Sequence, residues 1–487
     1  MSAVPLDAAP AQGAPTDGAA MLPARRLDAA GREHIDVRAI VALALPMVAN
    51  SAVQLVLSLT DMWFIGRIST DALAAVGAVN WLALVVVLIL SGIGQAVQPL
   101  AAQAFGSRRR AHAARATWIA LWGVLLVTPL FFAAAAGGSW LLGVFGLPAH
   151  IQQLGGDFWM PRVAGAPLGA AAWAVMGFFN GIGRPRVTLI VMGVMAVGNA
   201  LLNQYFIFHL GFGVAGAAWA TTVAQGLGLV VAMTVFLDRG HRAQFRTHLT
   251  WRPHARRIGA QLRLGFPMGL MGAADLLGMS LFQVMQVRLS AVEGAASQVV
   301  MVLTSIAYMP GFGIALAGTT LVGQSIGAGD RRWAFRLGNR VIALAALYMG
   351  GAGVVLALAG PWLLPLFTGA HDASSALVVA LSQRLLWIAA VYQLFDGLNM
   401  GSGFCLRGAG DATVPAVLVL ALSWLFFLPL AHVLSFAPGQ GWFDLLPQFG
   451  LGAAGGWVAV VVYVLVLGLV LLARWRSRAW ERVHLEP

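Results

Sequence analysis

The stretch Leu43-Ala44-Leu45-Pro46-Met47, which opens an apolar run closed by Ile65-Gly66-Arg67, returns 221 residues later as Leu264-Gly265-Phe266-Pro267-Met268, closed by Arg288. The same offset pairs Gly92-Ile93 with Gly313-Ile314. It pairs Leu100, Gln103 and Gly106 with Leu321, Gln324 and Gly327, and Arg115 with Arg336. After small insertions, Gly181-Ile182-Gly183 matches Gly408-Ala409-Gly410, and Gly213-Val214-Ala215-Gly216 matches Gly452-Ala453-Ala454-Gly455. So many matches at one spacing mark an internal duplication.

Each copy is mostly apolar. The chain is 59% hydrophobic and 10% charged, with mean hydropathy +0.81, where a soluble protein carries roughly 25% charged residues. A helix needs about 20 apolar residues to cross a bilayer core. Twelve runs meet that length: 39–65, 73–101, 116–137, 157–178, 187–208, 214–237, 264–288, 296–324, 338–360, 377–404, 413–434 and 452–473. Between the fourth and fifth, Gly181-Ile182-Gly183-Arg184-Pro185-Arg186 reads as a turn. The fold expected is an all-α polytopic membrane protein with two parallel six-helix repeats.

All 30 basic residues are arginine, and the net charge is +12. Such a balance can signal nucleic acid, but these arginines flank the apolar runs, as topology signals do. With both termini inside, the cytoplasmic segments hold Arg25, Arg26, Arg32 and Arg38; Arg108, Arg109, Arg110 and Arg115; Arg184 and Arg186; seven arginines between 239 and 263; Arg331, Arg332, Arg336 and Arg340; Arg407; and Arg474, Arg476, Arg478 and Arg482. The other side keeps Arg67, Arg162, Arg288 and Arg384. The expected organisation is a mostly disordered cytoplasmic tail (1–37), a six-helix lobe (38–237), a basic linker (238–263), a second lobe (264–474) and a short tail (475–487). Six spans per half is even, so the halves are parallel repeats about an axis along the membrane normal. Transporters built this way hold substrate between the halves and rock one against the other.

A charge in hydrocarbon costs several kcal/mol, from about 2.5 upward, so ionisable residues inside spans are functional candidates. Three acids qualify: Asp61 in the first span, Asp275 in the seventh and Asp396 in the tenth. At ~1.5 Å per residue, Asp275 lies roughly 18 Å past Arg263, Asp396 roughly 16 Å before Arg407, and Asp61 roughly 9 Å before Arg67. Asp275 and Asp396 are thus expected near the midplane, with no arginine at their depth. A carboxylate there binds a proton or a cation. Asp71, Asp157, Glu293 and Asp372 fall at edges or in outer loops. Polar neighbours lie on shared helix faces: Asn199 with Asn203, and Asn50 with Gln54, which is two turns before Asp61. Gln283, Gln286, Gln393 and Asn399 are further cavity candidates, or interhelical ties.

The lone Cys405 forms no intramolecular disulfide, and the histidines form no ligand cluster. Without lysine there is no Gly-x-x-x-x-Gly-Lys-Ser/Thr loop for ATP, and no His-Glu-x-x-His occurs. No nucleophile–base pair points to an enzyme, and no cofactor is expected.

Leu45-Pro46-Met47 through Thr60-Asp61-Met62, Ile65-Gly66-Arg67 and Ala72-Leu73-Ala74-Ala75-Val76-Gly77 resemble the first span of the MATE (multidrug and toxic compound extrusion) family. Leu406-Arg407-Gly408-Ala409-Gly410-Asp411 with Pro415, and Gly198-Asn199 to Phe208 followed by Gly213 to Thr221, also resemble that family. The resemblance covers roughly residues 38 to 475. It implies export of amphipathic or cationic small molecules in exchange for Na⁺ or H⁺, by a monomer in a bacterial inner membrane. It implies cation coupling at Asp61, Asp275 and Asp396, with Na⁺ at the last two, as in the NorM-like branch. Asp275 stands where that branch usually has Glu, and Asn203 where the DinF-like branch has Asp. A lipid-linked oligosaccharide flippase is the rival within the superfamily, and it would want a basic cavity. A major-facilitator transporter would need a Gly-x-x-x-Asp-Arg-type loop where this chain has Gly106-Ser107-Arg108-Arg109-Arg110. A polytopic membrane enzyme is the rival from another class.

Overall fold

The computed structural model describes residues 22–28, 31–144, 149–366, 373–443 and 446–483. Among them, eleven helices are long and apolar enough to cross a membrane, and a bent pair supplies a twelfth span. In chain order these are α1 (Val37–Gly66), α2 (Asp71–Gly106), α3 (Arg110–Ala136), α4 (Gln152–Ala164 with Ala166–Gly181), α5 (Pro185–His209) and α6 (Gly213–Phe236). The second set is α7 (Ala255–Leu289), α8 (Ala291–Gly327), α9 (Arg331–Leu366), α10 (Ser375–Ala409), α11 (Thr413–Ser435) and α12 (Gly452–Arg476). Each expected span lies on one of these helices, so the twelve-span, two-repeat reading holds. Several helices overreach the bilayer core: the 37 residues of α8 cover about 55 Å.

The break in α4 bends it by 41°. Pro167, just past the break, has no N–H to give to the preceding turn. Gly165 at the break lies so close to Thr222 of α6 that a side chain there would collide with it. One apolar cluster fills the C-terminal lobe and two fill the N-terminal lobe. Alanine and glycine line the helix crossings, which lets backbones approach where lipid gives no hydrophobic drive. The lobes meet through α1 on α8 and α2 on α7. Gly92 and its repeat counterpart Gly313 admit the backbones of Gly265 and Val48 from the other lobe. The two halves also end α4 and α10 alike. Gly183 and Gly410 take φ of +78° and +91°, a region that favours glycine, and so turn the chain sharply into the fifth span of each lobe.

Two connecting segments depart from expectation. The tail read as disordered over 1–37 carries a hairpin, β1 (Arg25–Leu27) antiparallel to β2 (Glu33–Ile35). Leu22, Ala24 and Ile35 pack on the C-terminal lobe, and Trp333 Nε1 donates to Pro23 O at 3.0 Å. Strands of three residues are too short to leave an alternation in the sequence, and tertiary contacts hold them. Residues 1–21 and 484–487, and Asp372, lie outside the described residues. The linker read over 238–263 is likewise built in. A short helix, Arg239–Phe245, buries His241 and Phe245 under the N-terminal lobe. Trp118 Nε1 donates to Thr247 O at 2.8 Å, and α7 begins at Ala255.

Candidate functional site: one carboxylate constellation in each lobe

In the N-terminal lobe, Asp61 on α1 is half-buried and meets side chains from two other helices. Asn203 Nδ2 on α5 donates to Asp61 Oδ1 at 2.6 Å and lies 3.1 Å from Asn199 Oδ1. Thr221 Oγ1 on α6 lies 3.4 Å from Asp61 Oδ2, and Asn199 Nδ2 donates to Thr221 Oγ1 at 3.2 Å. Asn199 and Asn203 are one turn apart and fully buried, so the face read from their spacing is the face that meets α1. Immediately after Asn203, α5 widens into a π-turn, Gln204–His209. Such turns interrupt helices mostly at functional sites.

The C-terminal lobe repeats this plan with other residues. At the 221-residue offset Gln54 is the counterpart of Asp275, and Phe282 of Asp61. Both Gln54 and Asp275 are exposed, although Asp275 also has protein atoms close around it on α11 and α12. The Tyr463 hydroxyl on α12 faces Asp275 and Ser423 without closing a hydrogen bond to either. Ser423 belongs to the π-turn of α11, Leu422–Phe427, in the span that corresponds to α5. On α10, buried Asp396 accepts from Tyr392 Oη at 3.1 Å and from Asn399 Nδ2 at 3.2 Å. The charges of Asp275 and Asp396 act on each other, and both act on Tyr308 of α8. The structure therefore brings these two acids into one neighbourhood and keeps Asp61 in the other lobe.

Other expected residues divide. Asn50 leaves its Oδ1 buried without a hydrogen-bond partner. Gln393 is fully buried and donates to Thr304 O at 2.9 Å, and Gln283 donates to Gly294 O at 3.2 Å. Gln286 Oε1 accepts from Ser297 Oγ at 3.3 Å. These three glutamines tie α10 or α7 to α8. Gln283 and Gln393 thus act as interhelical ties, a correction to their reading as cavity-lining groups.

The expectation that no arginine shares the depth of the acids is also corrected. Arg407 turns inward, with its guanidinium 4.5 Å from the Phe404 ring centroid and Nη2 3.8 Å from Met271 Sδ. Met271 is one turn from Asp275, and the charges of Arg407 and Asp275 act on each other. Arg162 on α4 acts on Asp61 in the same way and leaves Nη1 buried without a partner. A long arginine stem carries its charge well away from its Cα, which a depth counted along the sequence omits. Sequence reading also passed over Thr221, Tyr308 and Tyr463. A signal was available: the chain has only five tyrosines, and three of them, Tyr308, Tyr392 and Tyr463, gather at Asp275 and Asp396. A buried tyrosine hydroxyl usually has a polar partner.

The residues fit a hard monovalent cation, which takes oxygen ligands. In the N-terminal lobe Asp61, the Asn199 and Asn203 amides and Thr221 converge, and Asn203 Oδ1 is buried with no hydrogen bond to accept. No group of three or more His, Cys, Asp or Glu suited to a metal ion occurs among the described residues.

Two six-helix lobes, each holding an intramembrane carboxylate among polar side chains, define a multi-pass membrane protein of the transporter class. The MatE family profile matches residues 46–205 and 267–433, one stretch in each lobe, and the chain belongs to that family. It is similar to the "Probable multidrug resistance protein NorM" of Agrobacterium fabrum, 27% identical over 90% of this chain and 93% of that one. The protein of the same name from Mesorhizobium japonicum is 29% identical over 91% and 94%. The fold matches a solved structure described as "Crystal structure of MATE in the straight conformation", with TM-score 0.79 at 20% identity over 91% of this chain and 96% of that one. A second, an "Outward-facing conformation of a multidrug resistance MATE family transporter", matches with TM-score 0.80 at 20% identity over the same shares.

Proposed function

We propose that this protein exports amphipathic or cationic small molecules across a bacterial inner membrane, in exchange for Na⁺ or H⁺, by alternating access between its lobes. The observation that carries the reading is the set of three acids inside spans. Asp61, Asp275 and Asp396 form no ion pair within 4 Å among the described residues, and the hydrogen bonds that Asp61 and Asp396 accept come from neutral side chains. A carboxylate so placed changes charge state when a proton or cation arrives, and that change alters how well its lobe packs. Asp61 with Asn199, Asn203 and Thr221 would hold the ion in one lobe. Asp275 and Asp396 would hold it in the other, where an organic cation competes for the same charge. The bound ion neutralises the carboxylate; the residues position it and pass its presence to the helices that carry them. The arginine-rich face and both termini are cytoplasmic in this reading, and the unit is a monomer. The two inward arginines do not make the cavity basic, since each shares its lobe with at least one acid. The flippase reading therefore gains nothing from them.

The test is ethidium uptake by proteoliposomes under an imposed Na⁺ or H⁺ gradient, with wild type beside Asp275→Asn and Asp396→Asn. Uptake driven by one gradient and lost in both variants supports the reading and names the ion. No dye movement under either gradient, from protein with a normal melting transition, overturns it.

A further inference from the structure

The repeat motif Gln-x-x-Gly at Gln103–Gly106 and Gln324–Gly327 takes no part in either carboxylate constellation. It ends α2 and α8 just before the arginine clusters at 108–110 and 331–332. There the two helices cross between lobes. A side chain on Gly106 would collide with the carbonyl oxygen of Gln324, and one on Gly327 with that of Gln103. From this crossing the glutamines reach outward in opposite directions. Gln103 Nε2, in the N-terminal lobe, donates to Gly408 O of the C-terminal lobe at 2.9 Å. Gln324 Nε2, in the C-terminal lobe, donates to Gly181 O of the N-terminal lobe at 2.8 Å. Gly181 and Gly408 are themselves repeat counterparts in the last turns of α4 and α10, where carbonyls lack partners within the helix. The arrangement is one bond made twice, related by the pseudo-two-fold axis.

Its position matters. Further side-chain hydrogen bonds between lobes run from Gln98 to Leu316 O and Thr320, from Thr320 to Asn180 O, and from Gln261 to Ala116 O. All of these lie toward the same arginine-rich face. The lobes are thus tied to each other by side-chain hydrogen bonds at the arginine-rich face. We propose that Gln103 and Gln324 are paired positioning residues of the transport cycle. They hold the arginine-rich face shut by satisfying helix-end carbonyls across the lobe boundary, and both bonds break when that face opens. The proposal rests on the alternating-access reading above. It goes beyond that reading by naming the groups that set which face is open. Because the two bonds are equivalent, removing either shifts the equilibrium the same way by a similar amount.

The test measures distance across this face, without substrate or gradient. Cys405 is the single cysteine, so Cys405→Ala gives a background for spin labels at Ser107→Cys and Arg331→Cys, both exposed positions. Gln103→Ala and Gln324→Ala are each expected to raise the open-to-closed ratio by about twofold to tenfold, the range for one neutral hydrogen bond. The double variant should raise it further. Gln→Glu at either position keeps the length, loses the donor, and is expected to act like alanine. An unchanged distance distribution in the double variant, or a shift for one glutamine and none for the other, overturns the proposal. A shift in protein that moves no dye supports the latch while removing the exporter reading. Dye transport with no shift does the reverse.

Discussion

Replacing Asp61 with asparagine isolates its charge from its hydrogen bonds. The amide oxygen still accepts from Asn203 Nδ2, now 2.6 Å from Oδ1, and the new NH₂ faces Thr221 Oγ1, now 3.4 Å from Oδ2. The network around α1, α5 and α6 therefore survives the change. What is lost is attraction for a cation. A unit charge about 4 Å away is worth about 4 kcal/mol at an effective dielectric of 20, or a factor of about a thousand in affinity. Asp61 is half-buried, and water screens part of that, so the half-saturating concentration of the coupling ion is expected to rise by about a hundredfold or more. For proton coupling, the substitution deletes the site. The assay is the initial rate of ethidium transport in proteoliposomes against the concentration of the coupling ion. The short Asn203 contact supplies a second arm. Asp61→Asn combined with Asn203→Asp moves the carboxylate to the other end of one hydrogen bond, and is expected to recover a measurable part of the driven transport. An Asp61→Asn protein with wild-type ion dependence would refute the reasoning outright. A dead single variant with no recovery in the swap would show that the position on α1, and not the charge in the cluster, is what counts.

Thr221→Val keeps the shape of α6 but leaves buried Asn199 without its acceptor. We expect a stability loss of about 1–3 kcal/mol, seen as a lower melting temperature in detergent, and weaker ion dependence than in Asp61→Asn. Asp411→Asn weakens the bond from Arg474 Nε, 2.9 Å from a carboxylate that is 3% exposed. It should destabilise the protein by about 2 kcal/mol, read in the same melt. His241 sits under the N-terminal lobe with Nε2 3.0 Å from Arg184 Nη1. Burial first, and then the Arg184 charge, hold it below the usual histidine range. Its neutral form is thus the folded one, and the unfolded chain binds the proton more readily. Stability from this contact is present above the ordinary histidine range and falls as pH drops through it. Protease cleavage between residues 246 and 254 should rise over that interval in wild type and stay flat in His241→Gln.

The amino-acid sequence by itself determined the helix count, the two lobes and the three acids inside spans. These follow from local quantities: the length of apolar runs, the side on which arginines fall, and the price of a charge in lipid. It also determined that Asn199 and Asn203 share a face, because helical periodicity needs no partner. It did not say which helix that face meets. Only packing placed Asn203 against Asp61 and added Thr221 from α6, since the register between helices depends on crossings at Gly92, Gly165 and Gly313 that carry no local signature. Only packing turned Arg407 and Arg162 inward, because a side chain several ångströms long chooses its direction from what surrounds it. The same holds for Gln103 and Gln324. Their repetition was legible as a spacing, but the carbonyls they reach lie on helices far along the chain and in the other lobe.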